Sequence, residues 1–298
     1  MPRRPSYGPS RPLGPGLAGA GYLVSLLWAS LYMLITVGSA LPGARAAAAG
    51  EAPAGNSIGA VPALMTALLW ALVSGLSWLF LSMAEPAPAI GLPRTSARTL
   101  LRASLGVFLL AETPGFAAST AWAYVSDHVA YLNAHSGSSD STGLLADLAT
   151  SMSAGFSEEI IVVVLPVCLA YRLRRHVTAP RLRRAGLVLL IVTMLLARLS
   201  YHVMYGLGAL PLAVWALASI LIYLRTRAVL PLMIAHAGYD MVLAVIRPVA
   251  EHYGRAAGIA VYGLAVVLAL VAITTRGRPA QHEEQPGRER TSAELPGA

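Results

Sequence analysis

Two adjacent glutamates lie inside a stretch apolar enough to cross a bilayer, Ser157-Glu158-Glu159-Ile160-Ile161-Val162-Val163-Val164-Leu165. A charged side chain at the bilayer centre costs about 3 kcal/mol on insertion scales. A chain that keeps two such groups side by side must fold so that other helices supply their partners. Two further apolar stretches carry His202 and His236, and Asp240 follows the second histidine by one helical turn. Acids and imidazoles in separate spans point to polar chemistry performed within the membrane.

The composition fits that setting. The 298 residues are 56% hydrophobic and only 12% charged, with a mean hydropathy of +0.62. A soluble domain carries about 25% charged residues, so the sequence predicts an all-α, polytopic membrane protein. The single cysteine, Cys168, excludes an internal disulfide and any cysteine-based metal cluster. All 22 basic residues are arginine, which with the Ala, Gly and Pro richness reads as a bacterial, GC-rich coding bias. The net charge of +8 does not indicate nucleic acid, because the arginines fall in short loops between apolar spans.

Eight apolar stretches are expected to form about eight transmembrane helices, at 17–41, 58–83, 103–125, 148–171, 185–205, 208–224, 228–246 and 256–274. Each is near the roughly 20 residues that a helix needs to span the hydrocarbon. Open strands would leave edge groups unsatisfied in lipid. Arginine clusters at Arg3, Arg4 and Arg11, at Arg94, Arg98 and Arg102, at Arg172–Arg184, at Arg225 and Arg227, and at Arg276 and Arg278 fall in alternate connections. The remaining connections hold only Arg45, Arg247 and Arg255. The positive-inside rule then predicts a multi-pass protein of the bacterial plasma membrane with both termini cytoplasmic. The first apolar run, about 25 residues, exceeds the 7–15 of a signal-peptide core and is read as a span. Residues 1–16 and 277–298 have compositions that build no core and are expected to be disordered cytoplasmic tails. They flank a transmembrane domain, 17–276, whose motif core is 148–247. The loop from His135 to Asp140 reads as flexible.

The candidate site residues follow from the same logic. Neighbours on a helix diverge by about 100°, so Glu158 and Glu159 cannot both face one cavity. The preceding Ser151–Ser157 segment is mostly small, which lets helices approach closely. Arg198 and His202 are spaced i, i+4 and would share a helix face with Tyr201 and Tyr205 beside them. Arg198 could neutralise one of the glutamates or Glu112. His236 and Asp240 share a face, as a metal-ligand pair or as a ring oriented by an acid. Glu112, just before Pro114 and Gly115, reads as a supporting charge near a kink. His-Glu-x-x-His, Gly-x-Ser-x-Gly, Walker A and Gly-x-Gly-x-x-Gly motifs are all absent.

In this order, Glu158-Glu159, His202 and His236-Ala237-Gly238-Tyr239-Asp240 resemble the CAAX-protease and bacteriocin-processing (CPBP, Abi) family of intramembrane endopeptidases. That family's pattern is Glu-Glu followed by Arg, then Phe-x-x-x-His, then His-x-x-x-Asn/Asp. Leu230–Ala235 and Ile90-Gly91-Leu92 are similar to further family elements, and the resemblance spans roughly 85–247. Val163 stands where the family has arginine after the glutamates, and Arg198 stands where it has phenylalanine. Arg-x-x-Tyr-His looks like a variant subgroup. The resemblance implies a CAAX-protease-like helical bundle that hydrolyses a peptide bond of a membrane-associated protein or peptide. It implies Glu158 as the base that activates water and Glu159 as its partner. His236 would hold the water, and His202 and Asp240 would stabilise the oxyanion. Two cofactor states are open: zinc or another divalent metal on His202, His236 and Glu158, or no metal.

Two other classes stand beside this one. The family includes non-enzymatic scaffold and immunity proteins. A proton-coupled transporter could use Glu158, Glu159 and Glu112 as relay acids, although no inverted repeat is evident. A prenylated CAAX substrate is not expected in a bacterium. One geometric difficulty is also visible. At 1.5 Å per residue, His236 lies about 14 Å from Arg227, Glu158 about 21 Å from Arg172, and His202 about 27 Å from Arg184. Straight helices would not bring these to one level, so the fifth span must start late, tilt or bend.

Overall fold

The computed structural model describes residues 15–51, 60–85, 90, 95–135 and 144–275. The two expected tails, the 136–140 loop, and Gly91 and Leu92 lie outside the described residues, apart from Pro15 and Gly16, which open the first helix. Among the described residues there is no β-strand. The helices are α1 (Pro15–Ala49), α2 (Ala60–Ala84), α3 (Ala97–His128), the short α4 (Ala130–Ala134), α5 (Leu144–Leu173), α6 (Pro180–Ser200), α7 (Leu212–Thr226), α8 (Val229–Tyr253) and α9 (Arg255–Thr275). The described residues form an all-α bundle of the kind expected of a multi-pass membrane protein.

Among the described residues seven segments are long and apolar enough to cross a membrane. The fifth expected span, 185–205, differs. Arg181, Arg183 and Arg184 open α6 and Arg198 closes it, so its uncharged stretch, 185–197, rises only about 20 Å. The helix ends at Ser200 and the chain turns through Val203–Tyr205 and Leu207–Ala209 before α7 begins. His202 therefore sits in a turn and does not share a helix face with Arg198, as the i, i+4 spacing had predicted. Helix α6 stops two residues before His202, about 24 Å of rise from Arg184, so the turn shortens the climb to His202 only slightly. Gly206 makes the turn possible. Its φ is +54°, and a Cβ there would lie 2.2 Å from the carbonyl oxygen of His135. That carbonyl accepts the Leu207 N–H at 2.9 Å, tying the turn to the end of α4.

α5 is the central helix. Within its apolar stretch 72% of residues are buried, against 17% for α1 and for α9. Large apolar side chains such as Leu34, Leu68, Leu145 and Leu189 are exposed, as expected of surfaces that face lipid. α5 packs between α2 and α8. The small residues expected to bring helices together do so: Ser153 and Ser157 donate to the carbonyls of Ala67 and Trp70 on α2, at 2.9 and 3.2 Å. Gly155 faces the opposite way, where an added Cβ would lie 2.5 Å from the backbone nitrogen of Ala237 on α8.

Two long helices contain a wider, π-helical turn, Phe108–Glu112 in α3 and Glu159–Val164 in α5. Pro114 and Pro166 follow these turns closely. A proline ring collides with the carbonyl four residues earlier in an α-helix and leaves it without a donor. A π turn relieves that collision while the helix continues, so Pro114 produces a widened turn and α3 runs on to His128.

Candidate active site

The second π turn delivers the glutamate pair. Glu158 ends the α-helical part of α5 and Glu159 opens the wider turn. The two carboxylates have different partners. Glu159 is 1% exposed; its Oε1 accepts from Arg198 Nη2 at 2.6 Å and from His236 Nδ1–H at 3.1 Å. Glu158 points to a cavity of about 440 Å³ and its Oε2 accepts from the Tyr201 hydroxyl at 2.6 Å. Arg198 pairs with Glu159, not with Glu158 or Glu112. Its guanidinium is fully buried and lies 4.4 Å from the centre of the Trp215 ring. Desolvated cation–π contacts are worth about 2 kcal/mol, which helps hold a charge whose Nε and Nη1 make no hydrogen bond.

α8 supplies the third side. His236 Nε2 lies 3.5 Å from Asp240 Oδ2 and 4.0 Å from Glu158 Oε2. His202 and Asp240 line the same cavity. His202 Nδ1–H donates to the Arg198 carbonyl at 2.8 Å, and its ring stacks beside Tyr201 and Tyr205. Thus Glu158, His202, His236 and Asp240 converge on one cavity, while Glu159, Arg198 and Tyr201 support it from behind. Glu112 is 1% exposed and does not line the cavity; its Oε2 makes no hydrogen bond.

Trp215 was not singled out from the sequence. Its ring packs edge-on to His236 with centroids 4.7 Å apart and also meets His202 at 6.4 Å. It is the aromatic wall that joins Arg198 to both histidines. The available signal was a lone indole in an apolar stretch between the two histidines. Tyr32 of α1 was missed as well; it meets the Tyr201 ring edge-on at 6.3 Å.

The donor chemistry partly matches a divalent-metal site. Each histidine has its Nδ1 on an oxygen acceptor, the Glu159 carboxylate or the Arg198 carbonyl, an outer-shell pattern common among metal ligands. The placement does not match. Among the described residues no three His, Cys, Asp or Glu side chains are gathered so as to hold one ion. His202, His236 and Glu158 share the cavity without forming a ligand set.

The bundle and its buried cluster define the class: a polytopic helical membrane protein with a carboxylate–imidazole site inside the bundle. The family model described as "Type II CAAX prenyl endopeptidase Rce1-like" matches residues 140–242, about a third of the chain. The chain therefore carries an Rce1-like domain, consistent with the CPBP family, and it includes every cavity-lining motif residue from Glu158 to Asp240. Comparison with curated proteins and with solved structures gives no match.

Proposed function

We propose that the chain is an intramembrane endopeptidase that hydrolyses a peptide bond of a membrane-associated protein or peptide. The observation that carries the reading is the division of labour between the glutamates. Glu159 is locked by two hydrogen bonds behind the wall, and Glu158 faces the cavity beside His236. The Rce1-like domain supports the same reaction class.

The chemistry proceeds from those positions. Glu158 Oε2 and His236 Nε2, 4.0 Å apart, can hold one water between them. Glu158 takes a proton from that water as the water oxygen attacks the scissile carbonyl carbon. His202, on the same cavity surface, is the donor available to the developing oxyanion, and Asp240, 3.5 Å from His236 Nε2, orients that ring. His236 donates through Nδ1 to Glu159, which fixes the ring beside Glu158. When the tetrahedral species collapses, the C–N bond breaks and Glu158 returns its proton to the leaving amine. Tyr201 and Arg198 fix the two glutamates in place. No step is routed through a metal, because the side chains as placed do not form a ligand set.

The test is cleavage of membrane-associated reporter peptides by the purified full chain and by Glu158→Gln. The substitution keeps size and removes the basic carboxylate. Parental turnover by a Glu158→Gln protein made at parental level overturns Glu158 as the base, and no cleavage by the parental chain itself overturns the endopeptidase and favours a scaffold.

A further inference from the structure

The membrane face on which the cavity opens decides which peptides can reach Glu158. From the site the cavity runs in one direction only. Its outer walls are Ser119 and Ala123 of α3, Arg247 and Ala250 of α8, and Arg255 and Ile259 of α9. These positions occupy the C-terminal halves of α3 and α8 and the first turns of α9. Arg247 stands seven residues beyond Asp240, about 10 Å further along α8. At the same end Arg255 is bonded to Asp127 at 2.6 Å. The irregular stretch from Tyr201 to Pro211 also contributes to this cavity, through His202, Tyr205 and Gly208. Such backbone is tolerated in a membrane where it is buried in protein or lines a watery space.

In the other direction the bundle is closed. Ile160, Val163, Val164, Leu165 and Val167 of α5 are each at most 2% exposed. Beyond them the ends of α1, α2 and α5 are tied by Tyr22 and Arg172, both bonded to Glu85. Arg227, at the end of α7, lies 5.9 Å from the rings of Tyr171 and Tyr223. Among the described residues this closed end carries Arg98, Arg102, Arg172, Arg174, Arg175, Arg181, Arg183, Arg184, Arg225 and Arg227. Among the described residues the cavity end carries Arg45, Arg247 and Arg255. An excess of arginine in short connections marks the cytoplasmic side.

We infer that the cavity opens to the extracytoplasmic face, and that its substrate is a peptide segment presented on that face rather than a cytosolic C-terminal tail. The peptide nature of the substrate rests on the endopeptidase reading; the direction of access does not. The test is thiol labelling in intact cells with a charged, membrane-impermeant methanethiosulfonate. The background is Cys168→Ser, which removes the one native, buried thiol. Glu251→Cys reports the α8–α9 connection, Ser119→Cys and Ala123→Cys report the cavity wall, and Arg181→Cys reports the arginine-rich end. The expected result is full labelling of Glu251→Cys and of at least one wall position before permeabilisation. Arg181→Cys is expected to label only afterwards. Labelling of Arg181→Cys in intact cells overturns the inference. So does labelling of Glu251→Cys while both wall positions stay unreactive until the cells are opened, or stay unreactive throughout. Glu158→Gln in the same background is expected to label like its parent, because access does not require turnover. A failed cleavage assay therefore leaves this measurement independent.

Discussion

The two π turns of this protein make a controlled comparison. Each interrupts a long helix shortly before a proline, and each places a fully buried glutamate at its edge, Glu112 in α3 and Glu159 in α5. Their surroundings differ. Glu159 is met by a guanidinium from α6 and an imidazole from α8, and its neighbour Glu158 reaches the cavity. Both acids leave Oε2 without a hydrogen-bond partner, but among the described residues Glu112 has no salt bridge like that of Glu159 with Arg198, and its neighbour Ala111 has no polar group. A widened turn with an acid is therefore a local answer to proline. It becomes a site only where other helices bring charge to it.

Substitutions can break that contrast. The largest effect is expected at Glu158→Gln, a loss of about 10²–10⁴-fold in the cleavage rate, with the fold retained. Asp240→Asn is expected to lose less, since an amide still occupies the position beside His236. Glu159→Ala leaves Arg198 buried without its counter-charge, and breaking such a pair costs about 3–5 kcal/mol. The readout is a lowered unfolding midpoint in detergent, and an unchanged midpoint would show that the pair does not hold the bundle. Trp215→Leu removes the ring under Arg198 and is expected to cost about 2 kcal/mol, read in the same unfolding experiment. Glu112→Gln is expected to be the mildest, less than about 1 kcal/mol because Oε2 gives up no hydrogen bond, with cleavage near the parental rate. A loss at Glu112→Gln as large as at Glu158→Gln would erase the distinction between the two turns.

Much of this was legible from residues. The acids and imidazoles were the strongly polar groups of their spans, and the cost of burying them alone implied that they meet. Arg198 was read as a neutralising charge, and the structure selects Glu159 among its three candidate partners. The turn at His202 was not read, because hydropathy does not register a change of direction. Tyr201–Pro211 is as apolar as a helix, and Gly206, Gly208 and Pro211 were the hints of the break. The π turns were equally invisible to composition, although Pro114 and Pro166 were the local reason for them. Trp215 gave little signal, because an indole in an apolar span has an ordinary explanation in lipid contact.

The contact at Gly155 has a consequence for how this site can vary. There α5 and α8 touch backbone to backbone, one turn before Glu158 and beside His236. The spacing between base and imidazole is thus gauged by main-chain atoms, which no rotamer can adjust. In a saturation library, position 155 should accept no residue but glycine, while the serines at 151, 153 and 157 admit alanine. A tolerance of one residue would then fall on a position that carries no functional group.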